Sequence, residues 1–112
     1  MKAQRLNRAL VLEAPQQVSD GAGGYIREWQ PLGILWAAIK AGTGREAAAF
    51  AASVSRVPYR ITVRAAQEGA ASRPVAGQRF REGNRVFNIT AVAEQDADAR
   101  FLTCHAVEET AS

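Results

Sequence analysis

A single cysteine, Cys104, excludes an internal disulfide and suits a reducing compartment. On a strand such a residue is first of all a small buried hydrophobe. The one histidine, His105, is its immediate neighbour, so in an extended chain the two side chains point to opposite faces. They cannot share a metal or act as nucleophile and base. Lysine occurs only at Lys2 and Lys40, fewer cations of that type than a nucleic-acid binder usually carries. Apolar runs are broken by charge or glycine well before bilayer-spanning length, and the N-terminus lacks the apolar stretch of a secretory signal. The expected place of synthesis is therefore the cytoplasm, with no membrane contact. The glycine-rich stretch Gln16 to Gly24 has no Gly-Lys-Ser/Thr ending and no helical pattern after it, which excludes a phosphate-cradling loop. The carboxylates are isolated, and Asp96 and Asp98 are explained as turn formers. The chain reads as a non-enzyme with no catalytic residue, no metal ligand set and no cofactor.

What is present is enough for one folded domain over residues 1–112, with 47% hydrophobic and 22% charged residues. The formal net charge of +3 is unevenly spread. Seven arginines from Arg56 to Arg85 face only Glu68 and Glu82, whereas beyond Arg85 a single Arg100 stands against Glu94, Asp96, Asp98, Glu108 and Glu109. Arginine without lysine suits forked, fixed contacts to carboxylates on another protein. A solvated charged face is the plainer alternative for any one of these side chains.

The organising stretch is Pro58 to Arg64. Tyr59, Ile61 and Val63 alternate with Arg60, Thr62 and Arg64, the period of a strand with one dry and one wet face. Before it, Arg5 to Glu13 reads as a first strand ended by Pro15, and Gln16 to Gly24 as a turn or flexible loop. Tyr25 to Trp29 reads as a second strand, separated by Gln30-Pro31 from a third over Leu32 to Ala41. In that third strand Ile34, Trp36 and Ala38 share one face and Leu35, Ala37 and Ile39 the other, so it is expected to be covered on both sides. Trp29 and Trp36 suit core packing or a subunit interface better than a ligand platform. Thr43-Gly44-Arg45-Glu46 fits a capping box and predicts a short helix near residues 44–53, with Phe50 as its one large anchor. Ala65 to Gln78 is aperiodic and reads as a mobile contact loop. Two strands then flank the turn Glu82-Gly83-Asn84, and a last strand runs from Arg100 to Glu108. The expected fold is mainly β: a small barrel or sandwich of about six to seven antiparallel strands with one inserted helix.

The order Asp20-Gly21-x-Gly23-Gly24, Trp29, Trp36-Ala37-x-Ile39, Gly44-Arg45-Glu46, Tyr59-Arg60-Ile61-Thr62-Val63-Arg64, Phe80-x-x-Gly83-x-Arg85-x-Phe87-x-Ile89, Val92 and Arg100-x-Leu102-x-Cys104 resembles the head-tail joining proteins of tailed phages, also called head-closure or stopper proteins. The resemblance spans nearly the whole chain, and the Ala- and Arg-rich composition is similar to versions in prophages and gene-transfer-agent particles. It implies a structural ring between the portal or adaptor ring protein and the tail-terminator or tail-tube protein, closing the DNA exit and offering a surface for tail attachment. The implied partners are other copies of the chain and those ring proteins, with no specific nucleic-acid sequence. The implied location is the virion or phage-like particle, assembled in the bacterial cytoplasm.

Arg45, Glu46, Phe50, Arg60, Arg64, Arg73, Glu94, Asp96 and Asp98 are the candidate interface residues. Two other readings remain open on the sequence: a tail-terminator or tail-completion protein, and a small nucleic-acid-binding barrel using the strip Arg60, Arg64, Arg79, Arg81 and Arg85.

Overall fold

The computed structural model describes residues 5–42, 57–95 and 100–109. Six strands account for most of them: β1 (Arg8–Ser19), β2 (Tyr25–Ala41), β3 (Val57–Arg64), β4 (Arg79–Glu82), β5 (Arg85–Glu94) and β6 (Phe101–Glu109). All pairings are antiparallel, in the order β1-β2-β3-β6-β5-β4. β1 pairs with β4 as well as β2, so the single sheet closes on itself and each strand has two neighbours. The helix expected near residues 44–53, with its capping box Thr43 and Glu46, falls outside the described residues; among the described residues there is no helix.

The organising strand behaves as its alternation predicts. Ile61 and Val63 are fully buried, Tyr59 packs on the core edge, and β3 lies between β2 and β6. Leu10, Leu12, Ala37, Phe80, Phe87, Leu102 and Cys104 complete the interior, each with no exposed surface. Burial pushes the Cys104 thiol up to about 12, so it is a packing residue at neutral pH. Tyr59 meets Phe87 edge to face, with ring centroids 5.3 Å apart.

Two sequence boundaries are corrected. β1 continues through Pro15 to Ser19, and the expected second and third strands are one 17-residue strand running through Pro31. The prolines are tolerated because each lies where its strand has no second partner: β4 pairs only with Val11 to Glu13 of β1, and β3 only with Ala37 to Ala41 of β2. The register steps from Leu12↔Gly33 to Glu13↔Pro31, a bulge that leaves Leu32 without a counterpart. Gly33 has φ +149° there, a backbone state that side chains disfavour.

Beyond the bulge, β1 and β2 continue as a two-stranded arm closed by Asp20 to Gly24. The Asp20 carboxylate accepts the amides of Ala22 at 2.8 Å and Gly24 at 3.0 Å, which holds it below the usual carboxylate range. The arm explains why the molecule measures 56 × 36 × 23 Å and has a radius of gyration of 15.2 Å, where a compact chain of this length would have about 13 Å.

Ala65 to Gln78 contains no strand or helix, as its aperiodic sequence predicts, and hydrogen bonds connect it to the sheet. The Ala65 amide donates to Arg100 at 2.8 Å, Gly77 donates to Ile89 at 3.0 Å, and Ile89 donates back to Gln78 at 2.9 Å. Arg73 donates to the Ala66 carbonyl at 2.9 Å, and Pro74 is fully buried.

Candidate assembly surface

On the outer face of β3 Arg64 is exposed, Arg60 half-buried and Thr62 buried, and the neighbouring strands extend that face in register. Lys40 lies opposite Arg60, which lies opposite His105; Ala38 lies opposite Thr62, which lies opposite Thr103. With Ala93, Glu94 and Gln95 these residues line a cleft of about 490 Å³. Its lining includes three basic side chains, Lys40, Arg60 and His105, and one exposed carboxylate, Glu94. At the Lys40 end of this face the Gly42 amide donates to the Pro58 carbonyl at 2.9 Å, and at the Glu94 end Gln95 donates to Phe101 at 3.0 Å. Such a surface can hold carboxylates of a protein partner. Cys104 and His105 do point to opposite sides, one into the core and the other into the cleft.

Of the candidates, Arg60 and Arg64 share this outward face, and Glu94 lines the cleft. Arg64 also lies over the Phe101 ring, 5.7 Å from its centroid. Arg73 is half-buried and belongs to the loop over Ala66 instead. Arg45, Glu46, Phe50, Asp96 and Asp98 lie outside the described residues.

Arg8, Arg79, Arg81 and Arg85 are paired with carboxylates of the same chain. Glu13, 5% exposed, accepts from Arg79 at 2.7 Å and from Arg81 at 2.9 Å. Burial alone would raise the Glu13 carboxyl, but the hydrogen bonds from Arg81 and Arg79 outweigh it and the result is a lowered pKa. Trp29 closes this site from the arm, with the Arg79 guanidinium 4.1 Å from its ring centroid. Arg85 bonds Glu108 at 2.8 and 3.2 Å and approaches Glu82, which also pairs with Arg8. Those hydrogen bonds hold Glu82 and Glu108 below the usual carboxylate range. Glu109 accepts from Asn88 at 2.7 Å. Arg79, Arg81 and Arg85 are thus bound to carboxylates and do not form an open strip for phosphate.

The sequence did not point to Glu13 as the centre of this network; the signal available was the alternation Arg79-Phe80-Arg81, which puts two cations on one face. It also led to an expectation of double cover for β2 that the single chain does not provide. Leu35, Ala37 and Ile39 face the core, whereas Ile34 and Trp36 are 68% and 59% exposed. In the arm, Tyr25 and Ile26 are 72% and 52% exposed. Among the described residues, β2 thus holds four of the six large exposed hydrophobics.

Residues 1–109 match the phage head completion protein family. The chain belongs to that family. No curated protein sequence matches it. Among solved structures, a chain from the virion of a native gene transfer agent particle is 46% identical, with a TM-score of 0.79 over 98% of this chain and 100% of that one. Protein SF1141 from Shigella flexneri 2a, solved in solution, is 23% identical with a TM-score of 0.72, each chain covered completely. At that identity it shows a shared fold only. Membership in the head completion family, with the particle-derived relative, supports a virion-associated location for this chain.

Proposed function

We propose that this head completion protein is a structural connector: a small β-barrel that assembles as a ring between the portal or adaptor complex and the tail, closing the DNA exit and offering the tail its attachment surface. The observation that carries this reading is the likeness, over nearly the whole chain, to a protein from a gene transfer agent virion. The surface chemistry supports it. Seven arginines in the middle of the chain would favour DNA contact if they were open, but Arg79, Arg81 and Arg85 are held by Glu13, Glu82 and Glu108. The outer face of the sheet carries exposed Lys40 and Arg64 beside half-buried Arg60 and His105, three of which line the cleft. Its length and mixed chemistry suit a neighbouring protein ring. Arg45, Glu46 and Phe50, which follow Gly42 in the sequence, and Asp96 and Asp98, which follow Gln95, would extend the same contact. Each subunit contact can be modest, because a closed ring engages its neighbours many times at once.

The test is the double reversal Arg60→Glu with Arg64→Glu. The expected product is a folded protein and particles that fail to join, seen by electron microscopy as filled or leaking heads beside free tails. Particles of normal yield and infectious or gene-transferring activity would overturn the assignment of this face.

A further inference from the structure

The two ends of β2 carry exposed apolar surface that one molecule cannot bring together. Val18 and Ile26 are paired across the arm and share a face, which also contains Glu28, two residues along. On the body, Trp36 borders a groove of about 270 Å³, lined by Leu6, Leu35, Ala65, Ser72 and Arg64. Ile26 and Trp36 are ten residues apart on one continuous strand, roughly 30 Å at the usual rise. The strand cannot fold back, so the arm never covers its own groove. The uncovered stretch is also a free edge: β3 pairs with β2 only from Ala37, which leaves Tyr25 to Trp36 unpaired on that side. Long apolar edges of this kind are normally protected in native proteins. The charges agree with an arm-to-groove contact. Residues 14–31 carry Asp20 and Glu28 against Arg27, one net negative charge, whereas the groove has Arg64 exposed at its rim.

We propose that the Val18–Ile26 face of the arm docks in the Trp36 groove of a second copy of this chain, with Glu28 meeting Arg64. The contact joins two different surfaces, so each copy offers an arm to one neighbour and a groove to the other, the arrangement that closes rings when the rotation permits. It deepens the connector reading above and rests on it, since it names the partner of the ring contact.

The experiment places Ile26→Cys and Ser72→Cys in one chain and oxidises purified particles. Both sites avoid the core, and the arm's length puts a bridge within one copy out of reach. The expected result is a ladder of covalent dimers and higher multimers, absent from either single variant. A chain that is present in the particle yet stays monomeric, or that links to a different virion protein, overturns the contact while leaving the connector reading intact. Absence of the chain from particles would overturn both. A charge swap gives an independent measurement. Glu28→Arg is expected to lower incorporation into particles about tenfold, and adding Arg64→Glu to restore it. Incorporation unchanged by Glu28→Arg, or no restoration by the second change, counts against the proposal.

Discussion

Glu13 is a carboxylate that the fold places out of water between two guanidinium groups, and its removal would leave Arg79 and Arg81 side by side without a counter-charge. Arg79 has side-chain exposure of 18%, and Arg81 of 40%. The expected loss for Glu13→Ala is therefore roughly 3 kcal/mol, the lower end for breaking a buried pair, because Arg81 can turn to solvent. Glu13→Gln keeps one acceptor and should lose less. Urea unfolding of both variants checks this, and a loss below about 0.5 kcal/mol in Glu13→Ala would mean that the site behaves as a surface ion pair. Trp29 links this residue to the arm, since its ring covers the Arg79 guanidinium that Glu13 holds. Single contacts thus couple the body to an element that otherwise stands apart.

At the scale of elements, the arm and the body have different sources of stability. The body buries Leu10, Leu12, Phe80, Phe87 and Leu102 completely, whereas most arm side chains from Pro15 to Gln30 remain exposed. A two-stranded ribbon is marginal by itself, so the arm is held by its continuity with β1 and β2 and by the Asp20 tip. Replacing Gln16 to Glu28 by Asn-Gly keeps Pro15 opposite Trp29 and supplies a two-residue hairpin turn. The shortened chain is expected to retain amide protection in β3, β5 and β6 while its radius of gyration falls from 15.2 Å towards about 13 Å in solution scattering. Loss of protection in β3 would show that the arm belongs to the same cooperative unit as the body. With the arm gone, assembly should fail although folding does not.

For the whole molecule, the ion pairs predict how stability depends on pH. Glu13, Glu82 and Glu108 all have folded pKa values below their ordinary value. A depressed carboxyl binds its proton more readily when unfolded, so its contribution is fully present above about pH 4.3 and is lost as pH falls through the folded value. The urea midpoint is expected to be flat between pH 7 and 5 and to drop below about pH 4.3. Glu13→Gln should shrink that drop. A midpoint that rises, or stays level to pH 3, would mean that these pairs do not stabilise the fold. The positive net charge adds to the effect, because protonating carboxylates leaves the arginines to repel one another.

The sequence by itself determined the β class, the alternation that buries Ile61 and Val63, the Glu82-Gly83-Asn84 turn, the inert Cys104 and the outward direction of Arg60 and Arg64. These are local properties, because a period of two fixes which side of a strand each residue takes. Tertiary structure alone decided where cations find anions. Arg79 and Arg81 meet Glu13 across more than sixty positions of sequence, and no spacing rule reports a contact made by strands that pair through closure of the sheet. It also decided that Pro15 and Pro31 do not end strands, since a proline is harmful only where a neighbouring strand needs its missing amide hydrogen. Pairing of β3 stops at Ala37, so that need never arises at Pro31. For the same reason the apolar outer face of β2, legible as a pattern in Ile34 and Trp36, could not be assigned to core or surface until the pairing of every strand was known. The short range of sequence patterns gives faces, and the long-range register decides what lies against them.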